Sequence, residues 1–177
     1  MEFKDFLTNH DACASGMKYV ESLKWDINSF WAECHRGDWM LWLARKAGIE
    51  RRLLVLVAGH CANTVRHLMT DERSVNAVDV SIRYGNGEAT DAELDAAVAA
   101  SVAAAADVAA AVAAEAYAAA AAYAAAAASA AAAAEAYAYT AAKADAEAYT
   151  AAKAENQQQT ADIVRKHITV EMIIDKL

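Results

Sequence analysis

The sequence predicts an all-α protein: a compact multi-helix domain with long alanine-rich helices folded back on it. Three observations carry that reading. The 177 residues include no proline and only six glycines, the last at Gly87, so the second half lacks the residues that ordinarily stop a helix. Alanine, the strongest helix former, makes up about two-thirds of residues 96–154. In the remainder, apolar residues recur at three- and four-residue spacings in short segments bounded by capping residues. The length suits one domain with its own core, 1–177. Composition divides it into an amphipathic helical core, 1–88, and an alanine-rich region with a C-terminal helix, 89–177. Helix content is expected well above the third typical of globular proteins.

Each element has a start or stop signal. Asp26 is placed to cap a helix carrying Ile27, Phe30, Trp31 and Cys34, which His35-Arg36-Gly37 ends. Asp38 then caps a helix running through Trp39, Trp42 and Leu43 to Gly48. Ile49, Leu53, Leu56, Val57, Cys61, Val65 and Leu68 form a wide stripe and mark residues 49–69 as the buried central helix. Asp71 caps a helix with Val75, Val78 and Ile82 inward, and Gly85-Asn86-Gly87 closes it. Thr90-Asp91-Ala92-Glu93 reads as a capping box, with Asp91, Glu93 and Asp95 at the positive end of the helix dipole. Beyond it, Leu94, Val98, Val102, Val108 and Val112 fall within an arc of about 120°, a core-facing stripe.

A single straight helix over residues 91–155 would measure roughly 98 Å. A compact chain of this length is about 40 Å across. The tract is therefore expected to fold back, near Ser129 or in the polar stretch 145–156. The unit YTAAKA occurs at 139–144 and again at 149–154. Ten residues of helix place Tyr139 and Tyr149 roughly 80° apart, on one broad face. A last amphipathic segment carries Ile163, Val164 and Ile168, and the tail VEMIIDKL needs apolar cover.

Charge and cysteine usage bound the function. The formal net charge is −8. Residues 1–88 hold 11 basic and 12 acidic residues, residues 89–177 hold 5 and 12, and no Lys or Arg lies between Arg83 and Lys143. This argues against nucleic-acid binding by phosphate neutralisation and favours a protein partner with a basic surface. Cys13, Cys34 and Cys61 show no CxxC spacing, and MEFKDFLTNHD has no signal-peptide apolar core, so a cytoplasmic location is expected. Residues 116–134 are uncharged, but alanine is weakly apolar and Tyr117 and Tyr123 interrupt the run; no membrane span is expected.

No catalytic signature emerges. Cys34-His35 and His60-Cys61 have zinc-binding residue types, yet helical neighbours point about 100° apart, so buried thiols and partly exposed imidazoles are the expectation. Neither a nucleophile elbow nor a phosphate loop is present, and Arg36-Gly37-Asp38 is a helix boundary. Thr140 and Thr150, ten residues apart amid charge, do not form an ice-binding array. The chain is read as non-enzymatic, with no catalytic residue, metal or cofactor.

The segments FWAECHRGDWMLWLARKAG and RRLLVLVAGHCA, the alanine-tyrosine tract, and TADIVRKHI in that order resemble an alanine-rich family of immunity proteins of bacteria and their phages, associated with polymorphic toxin systems. The resemblance covers residues 25–168. It implies an all-helical protein that neutralises a toxin or effector by binding it, and it brings no active site. Arg36, Gly37, Asp38, Trp39, Trp42, Asp162 and Arg165 match the family pattern and are expected to be architectural, with Trp39 and Trp42 each contributing about 3–5 kcal/mol as buried aromatics. The partner surface is expected over 91–155, through Glu115, Glu135 and Glu147 with Tyr137, Tyr139 and Tyr149. Two alternatives stay open. One is a phage-encoded anti-defence protein such as an anti-CRISPR inhibitor, for which an acidic helical surface is also suited. The other is a structural module whose alanine faces serve homo-oligomerisation.

Overall fold

The structure, a computed structural model, describes residues 2–104 and 134–177, with side-chain surroundings for 2–104 and 151–177. Among the described residues every regular element is helical. In chain order they are α1 (Phe3–Asn9), α2 (Ala14–Ser22), α3 (Ile27–Glu33), α4 (Gly37–Lys46) and α5 (Arg51–Asn63), followed by a 3-10 turn at Arg66–Leu68. Next come α6 (Glu72–Gly85), α7 over residues 91–104, α8 (Ala134–His167) and α9 (Val170–Ile174).

Three helix starts follow local chemistry. The Asp26 carboxylate accepts from the backbone N–H groups of Asn28 (3.3 Å) and Ser29 (3.0 Å). Asp71 accepts from the N–H of Arg73 at 2.8 Å. Thr90 and Glu93 form the reciprocal box: Thr90 N–H donates to Glu93 Oε2 (2.8 Å), and Glu93 N–H to Thr90 Oγ1 (3.3 Å). The fourth differs from expectation. Arg36, not Asp38, occupies the cap position of α4 and offers no side-chain hydrogen bond there. Asp38 instead lies in the first turn and takes both arms of the Arg36 guanidinium, at 2.8 and 2.5 Å.

The central helix is shorter than its stripe. The N–H groups of Thr64 and Val65 bond to Cys61 and Ala62, three residues back, and the Thr64 hydroxyl also donates to Cys61 O at 2.8 Å. This tightening ends α5 at Asn63 and turns the following residues off its inner face, leaving Leu68 68% exposed.

The main core joins the two ends of the chain. Phe3, Phe6, Val20, Phe30, Trp31, Met40, Leu43 and Val57 are buried with Val164, Ile168 and Ile173. The core therefore extends beyond 1–88, and the tail finds its cover through Ile173. A smaller cluster, Val80, Tyr84, Ala89, Leu94 and Ala97, binds α7 to α6. The expected stripe on α7 is rotated: Leu94, Ala97 and Ala104 are buried, whereas Val98 (47%) and Val102 (63%) are exposed. Leu94 and Ala97, not the valines, are the α7 residues buried in this cluster. Val108 and Val112 lie outside the described residues.

The fold-back is completed by the C-terminal part of α8, which packs across α4 and α5. Residues 145–156 contain no turn; they run within α8. Without glycine or proline there, alanine propensity keeps the helix going. Pairs one turn apart, Gln159 to Glu155 (3.3 Å) and Gln158 to Asp162 (3.0 Å), continue it through the polar stretch. Ser129 lies outside the described residues.

Two glycines set helix spacings. A Cβ on Gly37 would sit 2.7 Å from both the carbonyl carbon and Oγ1 of Thr160 and 2.8 Å from Ala161 N, so α4 rests directly on the α8 backbone. Gly85 makes the matching approach of α6 to Leu56 of α5. Gly16 is different, since a Cβ there meets only Cys13 Sγ at 3.4 Å. Urea denaturation of Gly37→Ala should show a loss of about 1–3 kcal/mol from overpacking, despite the better helix propensity of alanine. Gly16→Ala should be neutral or gain up to about 1 kcal/mol. Equal stability of the two variants would show that the α4–α8 crossing is not tight.

Candidate functional site

The residues expected to be architectural come from both halves of the chain and lie around α4. Arg165, on α8, donates through Nε to Trp31 O (2.7 Å), through Nη2 to Cys34 O, and through Nη1 to Asp162 Oδ1 (2.8 Å). The two carbonyls belong to the end of α3, where helix acceptors have no internal partner. The indole N–H of Trp31 donates in return to Ile168 O at 3.2 Å. Gly37 supplies the close approach beside it, and Asp38 pairs with Arg36. That guanidinium holds the Asp38 carboxyl below the usual carboxylate range. Arg36 in turn lies over the Trp39 ring, 4.5 Å from its centroid.

Trp39 and Trp42 are half-buried rather than core residues; the fully buried positions of α4 are Met40, Leu43 and Ala44. Helical geometry gives α4 two faces, and the indoles fall on the one turned to the α1–α2 turn. There they line a cleft of about 270 Å³ with Leu7, Val20, Phe30 and Leu43, bordered by Asp11, Cys13 and Asp38. Tyr19 packs against Trp39 with ring centroids 5.8 Å apart, and Lys46 lies 5.9 Å from the Trp42 ring. Truncating either indole thus opens a surface cleft, a smaller penalty than the 3–5 kcal/mol of a buried aromatic. The cleft was missed in the sequence because α1, which supplies Leu7, carries no side-chain cap.

The expected partner-binding residues are spread along the alanine-rich tract. Glu135, Glu147, Tyr137, Tyr139 and Tyr149 lie on α8. Glu115 lies outside the described residues. Where side chains are next described, residues 151–155 are all exposed, more than one full turn.

The cysteine and histidine pairs do not converge. Cys34 is fully buried at the end of α3, and burial pushes its thiol up. Cys61 lies with its thiol 3.7 Å from Thr160 O, and burial raises it to about 11. Both remain protonated thiols near neutral pH. His35 meets Tyr19 edge-on, whereas His60 stacks on His167, 5.0 Å between centroids. Among the described residues no group of three or more His, Cys, Asp or Glu is arranged to hold a metal. No described helix is long and apolar enough to cross a membrane. Comparison with protein-family models, curated proteins and solved structures finds no match to the chain.

Two outcomes follow from the α8 contacts. Arg165→Lys keeps the charge but replaces the fork with a point donor, leaving a carbonyl of α3 unpaired. Chemical denaturation should show a loss of about 2 kcal/mol, and an unchanged midpoint would show that the α3 carbonyls are satisfied without the fork. His167 is held below the usual imidazole value by burial first, then by the charges of His60 and Lys166. The unfolded chain therefore binds its proton more readily, so the contribution of His167 is constant above about pH 6.5 and is lost as the pH drops from there through the lowered value. Melting temperatures between about pH 7.5 and 5 should decline less steeply for His167→Gln than for the wild type; parallel curves would exclude this pair as the source.

Proposed function

We propose that the protein is a non-enzymatic inhibitor that acts by binding a partner protein, as its resemblance to immunity proteins implies. The observation that carries this reading is the exposure of residues 151–155, on the helix that also bears Glu135, Glu147 and the three tyrosines. An alanine helix offers a stiff surface with little side-chain entropy to lose, so docking orders few rotamers. With net −7 over residues 89–177, from 5 basic and 12 acidic residues, such a surface favours a basic partner and accelerates its approach at low salt.

A self-assembling module is the second reading, favoured by one observation: Val98 and Val102 are exposed on adjacent turns of α7. Mass in solution separates the two, a monomer supporting the inhibitor and a concentration-dependent oligomer the module. An anti-defence inhibitor uses the same surface and differs only in the protein captured.

Crosslinking in the producing cells, followed by reconstitution with the captured protein, should yield a stoichiometric complex. Its affinity should fall at least tenfold between about 50 and 300 mM salt and again when Glu115, Glu135 and Glu147 are changed to lysine. Binding undiminished by both changes, or confined to residues 1–88, would refute this interface.

A further inference from the structure

We propose that the cleft between α4 and the α1–α2 turn is a binding site for a small aromatic amine. Volume and lining select the body of the ligand. Roughly 150 Å³ of apolar cavity is enough for benzene, so about 270 Å³ holds one ring with a short chain and no folded segment of a protein. Phe30, Trp39 and Trp42 supply aromatic walls, with Leu7 and Val20 completing an apolar floor.

Charge selects the head group. The titratable groups lining the cleft are Asp11, Cys13 and Asp38, and no basic side chain lines it among the described residues. Arg36 and Lys46 lie against the indole rings, but the Arg36 charge is already matched by Asp38 at 2.5 Å, and Lys46, exposed and 5.9 Å from the Trp42 centroid, does not line the cleft. Asp11 has no ion pair among the described residues. Its backbone sits in the left-handed region (φ 55°), with its N–H on Thr8 O at 3.2 Å, so the turn fixes an exposed, unmatched carboxylate at the mouth. An anion would meet the Asp11 carboxylate there, since the Asp38 charge is matched by Arg36. An ammonium attached to the buried ring would meet Asp11 and the electron-rich indole faces together.

The test is an NMR titration of the full chain, following its four Trp indole N–H signals. Phenethylamine, 2-phenylethanol and phenylacetate serve as cationic, neutral and anionic probes of one size. Phenethylamine should shift the Trp39 and Trp42 signals saturably, with a millimolar to high-micromolar dissociation constant. Trp31 should stay still, since its N–H is held by Ile168 O. The amine should bind about fivefold better than the alcohol and more than about tenfold better than the acid, and Asp11→Asn should bring amine and alcohol within about twofold. Gly16→Leu, on the cleft wall where a Cβ is tolerated, should abolish the shifts. No saturable shift, equal affinity for the acid, or an Asp11→Asn protein that keeps the full preference would overturn the assignment.

Discussion

The fold depends on the contact of α4 with the backbone of α8 at Gly37. The two segments are separated by more than a hundred residues, and most of the intervening chain past residue 95 is alanine, which offers few large side chains to specify where a helix docks. Specification comes from the end of α8 instead. Ala161 and Val164 are fully buried, Gly37 removes a Cβ that would hold the helices apart, and Arg165 ties the terminal carbonyls of α3 to the same helix. Tight packing and charge-assisted hydrogen bonds act at one level of α8, so register along it is fixed there.

This division of labour accounts for a composition that looks wasteful. Burying a methyl group yields less than burying a leucine, so the alanine tract contributes little to core stability per residue. The core is supplied by Phe3, Phe30, Trp31, Met40, Leu43 and the C-terminal Ile168 and Ile173. A segment relieved of core duty can keep a uniform, low-entropy surface, and among the residues whose side chains are described α8 is held where it joins the core. The proposed binding role uses that property, because a surface with few rotamers to freeze loses little entropy on docking.

What was legible in the sequence was local. Asp26, Asp71 and the Thr90–Glu93 box are caps whose bonds close within two or three residues, so residue type and spacing suffice. The end of α5 was not legible. Val65 and Leu68 continue the helical spacing, and only the three-residue backbone bonds at Thr64 and Val65 reveal the tightening. The face of α7 is not legible from hydrophobicity, which ranks valine above alanine, whereas Ala97 and Ala104 are buried and Val98 and Val102 are exposed. Least legible was the junction itself. Nothing local links Arg165 to the carbonyl of Cys34, 131 residues away.

The same reasoning places Trp39 and Trp42. Their aromatic bulk suggested a core, and α4 does contribute one, but a ten-residue helix whose first residue must touch another backbone has limited freedom in its rotation. With Gly37 turned to α8 and Met40, Leu43 and Ala44 inward, positions 39 and 42 fall toward the α1–α2 turn. The cleft is therefore a geometric consequence of the α4–α8 contact: the glycine that lets α8 dock also fixes where the indoles point. Its mouth residue, Asp11, belongs to a different segment held by its own turn, so the aromatic walls and the carboxylate are positioned independently and meet only in the folded chain.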